Sequence, residues 1–171
     1  EIAISSPVPV ILYNVPGRTS SNISAETTLR LAKDFEEQII AIKEASGDFS
    51  QIMKIIGGKP KGFHVLSGED ALSFSMICLG GTGVISVIAN AYPAEYSKMI
   101  RLSLDKKIEE AKELHYKLLP VIDALFAEGN PAGVKAFLKS MKLMDNNLRL
   151  PLVPVSKSLM NQISELVERI K

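Results

Sequence analysis

The run Ile39-Ile40-Ala41-Ile42 closes on Lys43 and is followed at once by Glu44-Ala45-Ser46-Gly47-Asp48. A short β-branched run bounded by turn residues predicts a strand buried on both faces, as in a parallel sheet. Asp48, with Gln51 three residues later, has capping-box spacing and predicts a helix through Ile56, stopped by Gly57-Gly58. The stretch therefore reads as one βα unit with a lysine at the C-terminal end of its strand.

Outward from it the pattern repeats. Val10–Val15, Phe63–Ser67 and Val84–Ile88 are apolar runs of strand length, each followed by helical spacing. Ser24 caps a helix through Asp34; another starts near Glu69 or Asp70 and runs to Leu79, ended by Gly80-Gly81; Pro93 fits the first turn of a fourth, through Leu104. The order is βαβαβαβα. Helices alone follow: one over Asp105–Ala127, one opened by Asn130-Pro131 through Met144, a connector Leu150-Pro151-Leu152-Val153-Pro154, and a last helix from Ser156. Four parallel strands do not close a barrel, and an eight-fold βα barrel takes about 250 residues. The expectation is an α/β chain: residues 1–104 form the second half of a TIM (β/α)8 barrel, and residues 105–171 a C-terminal helical region. The opening Glu1-Ile2-Ala3-Ile4 reads as the end of a helix, so the chain is expected to begin inside an element. A doubly wound domain is the other architecture with this order. It calls for a glycine-rich turn after its first strand, and Pro16-Gly17-Arg18-Thr19 is not one.

Hydrophobic residues make up 46% of 171, enough for a sizeable core. Net charge is +1 with the signs interspersed, which argues against nucleic acid as a partner. No apolar run approaches membrane-helix length. One cysteine, Cys78, cannot form an internal disulfide; it reads as a small buried hydrophobe in a cytoplasmic chain. His64 and His115 lack further ligands at metal spacing, so no metal is expected.

Active sites of βα barrels collect at the C-terminal ends of the strands. That rule gathers Tyr13-Asn14-Val15-Pro16-Gly17-Arg18-Thr19, Lys43, Ser67-Gly68-Glu69-Asp70 and Gly83-Val84-Ile85-Ser86 into one place. A lysine amine desolvated there attacks a ketone in its neutral form to give a Schiff base. Bringing a lysine pKa from about 10.4 to the range of about 7 to 8 takes roughly 4 kcal/mol, large for burial alone. A tyrosine hydroxyl opposite could move protons, and a guanidinium could grip a carboxylate at two points. Gly68 and Gly83 allow a small ligand close to the backbone. Each residue also has a plainer reading: Lys43 snorkels to solvent, Tyr13 fills the barrel, Arg18 pairs on the surface, and Glu69 and Asp70 favour a helix dipole.

Together, Tyr13-Asn14-Val15-Pro16, Ile42-Lys43-Glu44-Ala45-Ser46-Gly47-Asp48 and Gly81-Thr82-Gly83-Val84-Ile85-Ser86 resemble the pyruvate-dependent class I aldolase family that includes dihydrodipicolinate synthases and N-acetylneuraminate lyases. The resemblance runs over the whole chain, through Asn130-Pro131 and Leu148-Arg149-Leu150-Pro151-Leu152. It implies Lys43 as the Schiff-base lysine, Tyr13 as the proton-shuttling tyrosine, and Ile85 and Gly68 as substrate contacts. Gly17-Arg18-Thr19 resembles the synthase branch, in which the matching arginine holds the aldehyde's carboxylate. The implied reaction condenses pyruvate with aspartate semialdehyde, on the route to diaminopimelate and lysine, without a cofactor and in a homo-oligomer. The family's Gly-Thr-Thr-Gly-Glu segment, a tyrosine lent by a neighbouring subunit and most feedback-lysine contacts belong to the barrel's first half and are absent here. Another pyruvate lyase, or a barrel fragment with a structural role, stays open.

Overall fold

The computed structural model describes residues 1–170. They divide into two compact units: Glu1–Ser86 with Ser103–Lys106, and Val87–Leu102 with Lys107 onward.

In the first unit a short helix α1 (Ile2–Ser5) leads into β1 (Val10–Asn14), the single turn α2 (Pro16–Thr19), α3 (Ala25–Asp34), β2 (Ile39–Glu44), α4 (Phe49–Gly58), β3 (His64–Ser67), a 3-10 turn (Asp70–Leu72), α5 (Ser73–Cys78) and β4 (Gly83–Val84). The four strands form one parallel sheet in the order β1-β2-β3-β4. These are four consecutive βα units, half the eight of a closed barrel, as the strand pattern predicts. The helix starts follow their caps: Ser24 Oγ accepts from Thr27 N at 3.1 Å, and Asp48 Oδ1 from Gln51 N at 3.1 Å. One face of the sheet is sealed by these helices. Ile39, Ile42 and Val65 pack there with Ala32, Ile52, Ile55, Phe63 and Met76.

Several expectations yield to the structure. The strands are not all buried on both faces: on β1, Ile11 and Tyr13 are 45% and 49% exposed. The fourth strand is shorter than Val84–Ile88. Only Gly83–Val84 pairs with β3, which itself ends at Ser67 opposite Val84, and Ile88–Asn90 turns into a 3-10 helix. The helix expected over 69–79 splits. Ser73 Oγ donates to the Glu69 carbonyl at 2.9 Å, a local bond that competes with regular helix formation. Cys78, at the end of α5, is exposed rather than buried.

The second unit is helical: α6 (Pro93–Leu104, whose last two residues group with the first unit), α7 (Ile108–Phe126), α8 (Ala132–Ser140) and α9 (Lys157–Ile170). Helices α7, α8 and α9 pack on one another and bury Leu118, Leu125, Phe137 and Ile163. Lys106, at φ 61°, stands in the left-handed region, so α7 starts at Ile108 instead of Asp105. Lys142, also at φ 61°, ends α8 before Met144, where the Leu143 amide turns back to the Leu138 carbonyl at 2.9 Å. Pro131 takes the capping position ahead of α8, one residue earlier than a first-turn proline. Ser156 caps α9, accepting from Leu159 N at 3.2 Å. Among the described residues no helix is long and apolar enough to cross a membrane.

The difference between the two sheet faces is measurable. Ile42→Ala opens a cavity in the sealed core and lowers the unfolding free energy by about 2–5 kcal/mol. Ile11→Ala on the open face lowers it by less than about 1 kcal/mol. Equal losses for the two in urea titrations would show that the Ile11 face is covered.

Candidate active site

Strand register assembles the site. Tyr13 stands opposite Lys43, and Lys43 opposite Leu66; one residue further, Asn14 stands opposite Glu44 and Glu44 opposite Ser67. Successive side chains on a strand point to opposite faces. The two rows therefore serve two purposes: one carries Tyr13 and Lys43, and the other carries Asn14, Glu44 and Ser67, all three buried.

On the first row the Lys43 amine lies 3.9 Å from the centroid of the Tyr13 ring, in contact with its face. Lys43 is half-buried. Gly68 bounds it from the β3 side. A Cβ at that position would stand 2.9 Å from Lys43 Cε, 3.1 Å from Lys43 Cγ and 2.8 Å from Ala45 Cβ. The missing side chain at Gly68 makes room for the lysine stem; that is what its close approach serves in this structure.

The second row is a buried polar network that sequence reasoning misses. The Glu44 carboxylate is 1% exposed. It accepts from Asn14 Nδ2 at 3.1 Å to each oxygen, from Gln51 Nε2 at 3.2 Å and from the Ser46 amide at 2.7 Å. Asn14 Nδ2 also donates to Asn22 Oδ1 at 2.9 Å, and Asn14 Oδ1 accepts from the Ile23 amide at 2.9 Å. Asn22 Nδ2 donates to Gln51 Oε1 at 2.9 Å. Gln51 thus spends its side chain on Glu44 and Asn22, not on the capping box its spacing suggests. The signal in the sequence is a glutamate directly after the lysine, closing a segment otherwise apolar.

Arg18 lies exposed in α2, the turn that leaves β1, and no carboxylate among the described residues forms an ion pair with it. Ile85 is 45% exposed, and its amide donates to the Ser67 carbonyl at 2.9 Å. That N–H is therefore already engaged within the fold. Glu69 follows β3; burial first and the Asp70 charge second push its carboxyl above the ordinary range. In the helical unit, burial lowers the pKa of His115. Among the described residues no group of three or more metal-ligating side chains gathers.

The sequence pattern of the dihydrodipicolinate synthetase family matches residues 1–170. The chain belongs to this family. It is 54% identical over 169 residues to the 4-hydroxy-tetrahydrodipicolinate synthase of Flavobacterium psychrophilum, covering 99% of this chain and 57% of that protein. The enzyme of the same name from Phocaeicola vulgatus is 51% identical over 170 residues, with the same shares covered. Among solved structures, the dihydrodipicolinate synthase of Thermotoga maritima superposes at a TM-score of 0.95 with 37% identity, covering 99% of this chain and 58% of that one. The chain therefore spans somewhat more than half the length of its dihydrodipicolinate synthetase relatives, with a half-barrel and the helices that follow it.

The packing around the lysine stem sets the sign of two glycine substitutions. Gly68→Ala drives a methyl into Lys43 and Ala45 and destabilises the chain by about 1–3 kcal/mol, whereas Gly57→Ala meets nothing within 4 Å in helix α4 and stabilises by about 0.5–1 kcal/mol. Chemical denaturation of both variants checks this; a neutral Gly68→Ala contradicts it. The raised Glu69 pKa means that the native chain holds this proton more tightly than the unfolded chain. The resulting stability is present below the unfolded carboxyl pKa and lost as pH rises through the native one. Denaturation of Glu69→Gln beside the parent at pH values from about 4 to about 7 should show the variant gaining relative to the parent as pH rises; a constant gap contradicts the shift.

Proposed function

We propose that this chain carries the Schiff-base site of a 4-hydroxy-tetrahydrodipicolinate synthase, a lyase of the class I aldolase type that condenses pyruvate with aspartate semialdehyde. The observation that carries the reading is the Tyr13–Lys43 pair: an amine in contact with a phenol ring, at the C-terminal ends of adjacent parallel strands. The names of the Flavobacterium and Phocaeicola relatives support it.

The neutral Lys43 amine adds to the ketone carbon of pyruvate, and the Tyr13 hydroxyl passes a proton to the oxygen that leaves as water. Loss of a methyl proton turns the resulting imine into an enamine, which attacks the aldehyde carbon of aspartate semialdehyde. Arg18 holds the semialdehyde's carboxylate in a two-point grip. Attack of the semialdehyde's own amine on the imine carbon closes the ring and frees Lys43. Gly68 and Ile85 border the pyruvate. Neither a cofactor nor a metal enters this scheme. We place the protein in the cytoplasm as a homo-oligomer; its single cysteine, which has no disulfide partner in the chain, supports the first, and the family resemblance supports the second.

The alternative within the same chemistry is a lyase for a sialic or sugar acid. Arg18 favours the synthase, because a guanidinium fork suits a small carboxylate better than a long polyhydroxyl chain. Turnover is read with the chain fused to the portion of the Flavobacterium relative it does not match. Borohydride with pyruvate should label Lys43 in the parent and in Arg18→Ala alike, but not in Lys43→Ala. Arg18→Ala should lower kcat/KM for aspartate semialdehyde by about 10²-fold, the loss of a charged two-point contact worth about 3 kcal/mol. Equal labelling of Lys43→Ala, or faster turnover of N-acetylneuraminate than of aspartate semialdehyde, would refute the assignment.

A further inference from the structure

A buried carboxylate has to be met by donors, and Glu44 is met by donors from three different segments. Asn14 comes from the end of β1, Gln51 from the first turn of α4, and the Ser46 amide from the loop between β2 and α4. Asn22, in the loop that follows the Arg18 turn, is bonded to both Asn14 and Gln51. We propose that Glu44 is a positioning residue for two parts of the site at once. It fixes the strand ends that present Tyr13 and Lys43, and through Asn14 and Asn22 it fixes the segment after β1 that presents Arg18. The inference rests on reading Lys43 as the Schiff-base amine.

Polarity dictates the arrangement. The carboxylate offers only acceptors, so the amides of Asn14 and Gln51 must turn their NH2 groups toward it. That turns Asn14 Oδ1 to the Ile23 amide and Gln51 Oε1 to Asn22 Nδ2. One charge thereby orders three side-chain amides and two backbone N–H groups, those of Ser46 and Ile23. The register places this order one residue beyond Tyr13 and Lys43 on the same two strands, so a shift of Asn14 against Glu44 is a shift of Tyr13 against Lys43. The loop is held by the same group: the Ile23 amide and Asn22 Oδ1 both end on Asn14. Residues 16–23 therefore hang between the end of β1 and the network.

A reciprocal exchange of acid and amide tests this. Glu44→Gln turns an NH2 toward Asn14 Nδ2 or Gln51 Nε2. Asn14→Asp sets a second carboxylate against the first. In N14D/E44Q the carboxylate stands at position 14 and accepts from the side-chain NH2 introduced at position 44, in the place of Glu44 Oε2, and from Ile23 N; with the Asn22 and Gln51 amides turned over, the network is regained except for the bond from position 14 to the oxygen that receives the Ser46 amide. The fused protein described above is assayed for borohydride labelling at Lys43, for kcat and both KM values, and for melting temperature. Each single variant should lose about 10²-fold in labelling rate and kcat, the effect of a misplacement of about 1 Å. The double variant should regain most of that loss. Asn22→Ala should label at Lys43 as the parent does, with KM for the semialdehyde raised roughly tenfold, about 1.4 kcal/mol. A Glu44→Gln that labels and turns over like the parent, or a double variant that melts like the parent but works no better than the singles, overturns the proposal. Loss of labelling in Asn22→Ala overturns its loop half. If the parent itself is not labelled at Lys43, the Schiff-base reading fails; recovery of the melting temperature in the double variant then still decides whether the four side chains act as one unit.

Discussion

A carboxylate withdrawn from water loses many kcal/mol of hydration unless donors replace that water. At Glu44 the replacement comes from the end of β1, the loop after β2 and the first turn of α4. The geometry of the site depends on that requirement. Strands β1 and β2 can slip in register without turning apolar side chains to the open face only by two residues at a time. They do so only by breaking bonds to a buried charge, which is far more costly than losing a methyl contact.

The alternation of strand side chains then converts a structural constraint into a chemical one. The network lies on the face toward the helices, so the neighbouring residue on each strand, Tyr13 and Lys43, falls on the opposite face. Gly68 completes the arrangement from β3 by leaving space where a side chain would press on the lysine stem. An amine held in contact with a phenol ring, with its backbone pinned one residue away, would lose little further freedom in the proposed reaction. This is the preorganisation on which proximity effects depend.

How much of this is legible in the sequence follows the range of the interactions. The β1, β2 and β3 runs, the caps at Ser24 and Asp48 and the helix from Pro93 are local patterns, and the structure bears them out. The failures lie where a distant partner decides. Gln51 satisfies the local rule for a capping box, but a buried charge seven residues earlier draws its side chain away. The fourth strand has the right composition over Val84–Ile88, yet strand geometry needs a neighbour, and β3 pairs only with Gly83–Val84. Cys78 looks buried because its sequence neighbours are apolar; its place at the end of a short helix exposes it. Asn14 and Glu44 are thirty positions apart, and no periodicity announces that they meet. For the residues proposed to react the outcome differs. The strand-end rule and the family resemblance single out Lys43 and Tyr13, and the structure brings the two together.

In the proposed reaction, the register of β1 and β2 presents Lys43 and Tyr13 as one reacting unit. The most direct test is a crystal structure of the complete, fused protein with pyruvate bound. The expected result is continuous density from Lys43 Nζ to the ketone carbon, with the Tyr13 hydroxyl within hydrogen-bond distance of Lys43 Nζ or a pyruvate oxygen and the Asn14–Glu44 bonds intact. Pyruvate bound away from Lys43, or joined to it with Tyr13 turned out of the site, would contradict it.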